Sequence, residues 1–211
     1  MKSKFLFLAL SVFLASCGGG GVTDSDVSPR RTVLLGDSLS AYPAWCESYP
    51  TCPDGPVGDK LLELFGGGEN LSTAGETTAH ALLGGEVIAG NEIRDRKYKT
   101  VSTIGKVDTL ILRYCVADIV TGLTAEEVFN NINLIVKTVA PTNTYIIKCS
   151  PVLVNDLTKL EYVKLDKLID TIDNAIILSP GDSTEPMPDK MHPAGQLVDK
   201  QLATIKKQIL K

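Results

Sequence analysis

The chain is short of several things, and each shortage narrows what it can be. It has no excess of basic residues: 21 Lys and Arg stand against 25 Asp and Glu, a formal charge of −4. A nucleic-acid partner needs a basic footprint, so that class is set aside. Only two histidines occur, His80 and His192, far apart, and no Cys-x-x-Cys pair is present. A structural metal site needs closely spaced ligands, so no metal is expected. The N-terminal apolar run, Phe5 to Leu14, falls short of the roughly 20 residues that a bilayer-spanning helix needs. There is no internal repeat and no second domain boundary within the body of the chain.

What the chain has begins with a processing signal. Lys2 and Lys4 precede the short apolar run, and Leu14-Ala15-Ser16-Cys17-Gly18 follows it. That order reads as a secretion signal. The Leu-Ala-Ser-Cys box resembles the lipobox of bacterial lipoproteins. The resemblance implies a signal peptide over 1–16, cleavage before Cys17 and lipidation of its thiol. Several acyl chains on one Cys suffice for stable anchoring. Gly18, rather than Asp, after the Cys implies the outer membrane in a Gram-negative host. Residues 17–31, rich in Gly, Ser and Asp, read as a lipidated flexible tether. The remaining span, 32–211, holds about 180 residues, enough for one domain with a full core.

Apolar runs and helical patterns alternate through that span. Strands are expected at Thr32–Leu35, Asn70–Leu71, Asp108–Tyr114, Thr144–Lys148 and Ala175–Leu178. Helices are expected at Asp54–Phe65, where Gly66-Gly67-Gly68 stops it, and at Thr77–Ile88, Leu157–Ile172 and Pro193–Leu210. Thr124-Ala125-Glu126-Glu127 is a capping box, opening a helix with Val128, Ile132, Ile135, Val136 and Val139 on one face. Strands separated by helices require crossovers, hence a parallel sheet covered on both faces. The fold class expected is α/β, a flavodoxin-like three-layer α/β/α sandwich with about five parallel strands.

Two fragments carry chemistry. Val33-Leu34-Leu35-Gly36-Asp37-Ser38-Leu39-Ser40 puts a serine just past an apolar strand, at the sheet edge where α/β proteins bind ligands. Near the other end stands Asp189-Lys190-Met191-His192-Pro193. Ser38 is the candidate nucleophile, His192 the base and Asp189 the residue that orients it, a division of labour that a weakly nucleophilic hydroxyl requires. His80 sits in an Ala/Leu-rich helical stretch and reads as a surface or half-buried residue. The two blocks resemble the first and last blocks of the GDSL, or SGNH, hydrolases, which are esterases and lipases on a flavodoxin-like sheet. The resemblance spans nearly all of residues 32–211.

That resemblance also implies an oxyanion hole built from the Ser38 backbone N–H, the Gly75 N–H in Ser72-Thr73-Ala74-Gly75-Glu76-Thr77, and an Asn side chain from a third block. Here the third block departs from the pattern. Leu110 to Tyr114 run into Cys115-Val116-Ala117-Asp118, and Ala117 falls at the Asn position. Its methyl cannot donate, and losing one such donor costs roughly 10²–10³ in rate. Arg113 and Asn155 fall near the same sheet edge. The insertion Ala41 to Pro56 carries Tyr42, Trp45 and Tyr49. Aromatic rings there suit either a sugar or acyl subsite on the rim or a small loop core.

Once Cys17 is lipidated, four cysteines remain, an even number in an exported protein. Cys46 and Cys52 flank a Pro-rich loop, and Cys115 and Cys149 end strand-like runs expected to be neighbours. Those are the pairings expected. The resulting expectation is an envelope-anchored esterase that acts on carboxylic esters of carbohydrate or lipid without cofactor or metal. Its alternative is a catalytically weakened lipoprotein of the same fold that acts as a binding protein.

Overall fold

The computed structural model describes residues 30–41, 55–149, 156–181, 192 and 195–211. The expected signal peptide, residues 17–29 of the expected tether with Cys17, the Cys46–Cys52 pair, the insertion aromatics, Asn155 and Asp189 lie outside the described residues. Arg31, placed at the end of the tether, is held instead by the domain, its N–H donating to Asp108 Oδ2 at 2.8 Å.

Strand β1 (Thr32–Gly36) is apolar without alternation because both of its faces are covered; Val33, Leu34 and Leu35 are fully buried. It is followed by a one-turn helix α1 (Ser38–Ala41), helix α2 (Val57–Glu63) and β2 (Glu69–Asn70). Next come α3 (Thr78–Leu83), a hairpin of β3 (Val87–Ala89) and β4 (Glu92–Arg94), and a 3₁₀ turn at Val101–Thr103. β5 (Thr109–Arg113), α4 (Val116–Val120), α5 (Ala125–Val139), β6 (Asn143–Ile147), α6 (Asp156–Ile169), β7 (Ile176–Leu178) and α7 (Gly195–Ile209) complete the order.

The main sheet has five strands in the order β2-β1-β5-β6-β7, and every pairing in it is parallel. The chain steps outward from β1 to β2, then returns to β1's other side for β5. This reversal is a topological switch point, and it opens a crevice at the carboxyl ends of β1 and β5. Gly36 pairs with Arg113 at that edge.

Strand alternation sorts the core into two layers. Val33, Leu35, Leu110, Leu112 and Ile146 face Ala81, Val128, Ile132, Ile135, Leu165 and Ile169 from α3, α5 and α6. Leu34, Ile111, Ile147 and Leu178 face Leu61 and Leu62 of α2 and Ile205 of α7. The capping box opens α5 as expected: Thr124 N–H donates to Glu127 Oε2 (2.8 Å), and Glu127 N–H donates to Thr124 Oγ1 (3.3 Å).

One expected helix needs correction. The Thr77–Ile88 helix stops at Leu83, because Gly84 and Gly85 take φ of +81° and +103°. Val87–Ala89 then becomes a strand, antiparallel to Glu92–Arg94 around Gly90 at φ +65°. The Gly90-Asn91 turn between two short β-prone runs was the sequence signal for it.

Cys115 and Cys149 form a disulfide with Cα atoms 6.2 Å apart, tying the segments that leave β5 and β6. Among the described residues no helix is long and apolar enough to cross a membrane.

Candidate active site

The turn that carries Ser38 is forced by close packing. A Cβ on Gly36 would lie 2.6 Å from the Arg113 carbonyl oxygen, so only glycine lets β1 end against β5. The backbone then winds into α1, with Ser40 and Ala41 N–H donating to the Asp37 carbonyl at 3.1 and 3.0 Å. The buried Asp37 side chain holds both sides of the crevice. Its Oδ1 accepts from Leu39 N–H at 3.0 Å. Its Oδ2 accepts from the N–H groups of Cys115, Val116 and Ala117 at 3.2, 2.8 and 3.2 Å. A carboxylate at the start of α4 also faces the positive end of that helix.

Across 154 positions of sequence, Ser38 Oγ and His192 Nε2 lie 2.7 Å apart, a hydrogen bond. The structure thus brings together the candidate nucleophile and base at the edge where the sheet's strand order reverses.

The segment carrying Gly75 is laid along the end of β1. Leu71 N–H donates to the Leu34 carbonyl (2.9 Å), and Thr73 N–H to the Gly36 carbonyl (3.1 Å). Gly75 sits at φ +81°, and a Cβ there would meet the Ile88 carbonyl at 3.0 Å. Conformation and space both demand glycine, with the β3–β4 hairpin packed against the turn. The next residue, Glu76, is wholly buried. Its Oε1 accepts from Arg96 Nη2 at 3.0 Å, from Tyr114 OH at 3.2 Å and from Tyr98 OH. Burial, reinforced by the Glu76 charge, pushes the Tyr98 hydroxyl above its ordinary range.

The third block is organised by Asp118. Its buried Oδ1 accepts from Thr78 N–H (2.8 Å) and Thr78 Oγ1–H (2.7 Å), which fixes the start of α3. Its Oδ2 has no partner among the described residues. Burial pushes its pKa up to about 7; the Thr78 bonds oppose this, and the Asp37 and Glu76 charges add to it. Ala117 lies in α4 with its N–H already given to Asp37.

Three buried carboxylates therefore stitch three loops together. Asp37 joins the Ser38 turn to α4, Asp118 joins α4 to α3, and Glu76 joins the Gly75 turn to Tyr114 at the end of β5. No sequence motif marks any of the three for this work. The Gly-Asp-Ser run and the adjacent Gly-Glu and Ala-Asp pairs were the only local signals. His80 is half-buried, with its Nδ1 2.9 Å from Thr77 Oγ1 in the cap of α3.

No family model matches the chain, and no curated protein matches it by sequence. Solved structures do match. A lipolytic protein of the G-D-S-L family from Veillonella parvula superimposes with a TM-score of 0.58 at 10% identity, covering 83% of this chain and 95% of that one. The fold is that of the GDSL lipolytic proteins. The psychrotrophic esterase EstA from Pseudoalteromonas sp., solved inhibited by monoethylphosphonate, gives 0.51 at 17% identity, covering 86% and 100%. A GDSL-like lipase from Bacteroides thetaiotaomicron gives 0.52 at 12%, covering 86% and 88%. Identities this low speak for a shared GDSL fold and leave activity to be argued from the site.

Proposed function

We propose that the protein is a serine ester hydrolase of the GDSL type. The observation that carries this is the 2.7 Å contact between Ser38 Oγ and His192 Nε2 at the switch point. In the first half-reaction Ser38 Oγ attacks the acyl carbonyl carbon while His192 Nε2 takes the hydroxyl proton. The carbonyl oxygen becomes an oxyanion, received by the Ser38 and Gly75 backbone N–H groups. Collapse expels the alcohol, which leaves with the proton from His192. Water, deprotonated by the same imidazole, then attacks acyl-Ser38, and the acid is released as Ser38 Oγ takes the proton back from His192. Asp189 is assigned to orient His192 and to stabilise its cation. No metal or cofactor enters the scheme.

The anchor implied by Cys17 would hold the enzyme at the cell envelope, with the outer membrane as its site in a Gram-negative host. Esters of envelope or extracellular carbohydrate are the substrates favoured, with lipid and small esters next. Tyr42, Trp45 and Tyr49 in the insertion that follows the nucleophile support that preference.

A second reading is favoured by one specific observation. Ala117 offers no side-chain donor, and its N–H is spent on Asp37. On that reading the chain keeps the fold and binds esters or glycans without turning them over. Hydrolysis of p-nitrophenyl acetate and butyrate by wild type, Ser38→Ala and Ala117→Asn separates the two. The esterase reading expects turnover that Ser38→Ala abolishes and Ala117→Asn raises, toward the roughly 10²–10³ that a missing donor costs. Wild-type protein that is folded but inert, with or without the Asn, favours the binder.

A further inference from the structure

Arg113 is a buried cation that the chemistry above does not use. It ends β5 and is 3% exposed. Its Nη1 donates to the Leu39 carbonyl at 2.9 Å, and its Nη2 donates to Gln201 Oε1 at 3.3 Å. Among the described residues its Nε has no partner and no carboxylate lies within ion-pair distance of it. Burial pushes its pKa down to about 10, against the pull of the Asp37 charge. A guanidinium buried with so few partners is costly, and an apolar side chain of similar volume usually fills such a space as well or better. Packing alone does not account for it.

The two groups it joins are informative. Leu39 follows Ser38 within α1, a single turn that cannot hold its own shape by propagation. Asp37 takes the Leu39 N–H from one side, and Arg113 takes the Leu39 carbonyl from the other. Gln201 lies in α7, which begins three residues after His192 and seats Ile205 against α2 and the sheet. The planar guanidinium meets both acceptors at a fixed angle, which a Lys ammonium on a flexible stem does not reproduce.

We propose that Arg113 is a positioning residue that braces the Ser38 turn against α7, and so holds Ser38 Oγ within bonding distance of His192 Nε2. The claim rests on the hydrolase reading. Arg113 acts through the backbone of Leu39 and the side chain of Gln201, not on the reacting atoms.

The test compares full-length wild type with Arg113→Met, Arg113→Lys and Gln201→Leu, by thermal unfolding and by kcat and KM on p-nitrophenyl acetate. Arg113→Met is expected to stay folded with KM within about twofold. Its kcat is expected to fall ~10–100-fold, as sub-ångström to 1 Å misplacement does. Arg113→Lys is expected to recover part of that loss, and Gln201→Leu to lower kcat by less while leaving KM alone. Folded Arg113→Met with wild-type kcat overturns the proposal, as does a loss carried by KM alone. If Arg113→Met does not fold, Gln201→Leu decides, and wild-type kcat there overturns it. A wild type without Ser38-dependent turnover overturns the hydrolase reading and this inference together; an active wild type with unaffected variants overturns only the inference.

Discussion

With both carboxyl oxygens out of water and, among the described residues, only one of them bonded, Asp118 holds its proton to higher pH in the folded protein than in the unfolded one. Its pKa stands at about 7 against 3.8 for the free group. Folding therefore binds its proton, so its contribution is fully present below about pH 4 and is lost as pH rises through 7. Asp118→Asn resembles the protonated state and keeps an acceptor for Thr78. In thermal unfolding, the variant is expected to gain on wild type as pH rises from about 4.5 to 7 and to gain little more above that. A difference that stays constant across that window contradicts the assignment. Asp37 differs in being satisfied: four N–H groups converge on its two oxygens. At this scale the sequence disclosed identities better than duties. The meeting of Ser38 with His192 was legible because Gly36-Asp37-Ser38 and Asp189-x-x-His192 resemble paired blocks at the two ends of the chain. The bracing acids and Arg113 were not, since a buried carboxylate and a surface one look alike until the partners from distant segments are known.

Among the elements, the link between β5 and β6 gives an expectation that unfolding measures directly. The Cys115–Cys149 disulfide closes a loop with a sequence separation of 34. Restricting an unfolded loop of that length stabilises the folded state by about 3–4 kcal/mol in the chain-entropy account. Reduction, or the double change Cys115→Ala with Cys149→Ala, is expected to lower the urea unfolding free energy by that amount. A change below about 1 kcal/mol contradicts it. This pairing was readable because each Cys ends an apolar run and parallel order makes the two runs neighbours. The β3–β4 hairpin was missed for a contrary reason. Its strands are three residues each, and Thr77 to Leu83 propagate a helical pattern up to their edge. Gly84 and Gly85, both at positive φ, ended the helix there. The hairpin matters to the site because it packs on Gly75.

For the whole molecule, alternation of apolar runs with helices was enough to expect a parallel sheet. The order β2-β1-β5-β6-β7 explains why residues 154 positions apart meet. Reversal of strand order between β1 and β5 leaves one crevice, and the chain returns to it with His192 just before its last helix. The proposed envelope location rests on the Leu14-Ala15-Ser16-Cys17 box. Expressed with its signal in a bacterial host, the protein is expected in the membrane fraction, and Cys17→Ala is expected in the soluble fraction. Wild type that fractionates as soluble contradicts the anchor.

The central claim is that Ser38 is a nucleophile made reactive by His192. Its most direct test is peptide mapping by mass spectrometry after exposure to a fluorophosphonate, whose phosphorus Ser38 Oγ attacks with departure of fluoride. One adduct, on the peptide that contains Ser38, strongly reduced in His192→Ala and absent from Ser38→Ala, is the expected result. A folded wild type that takes up no adduct, or takes it up equally without His192, would contradict the account.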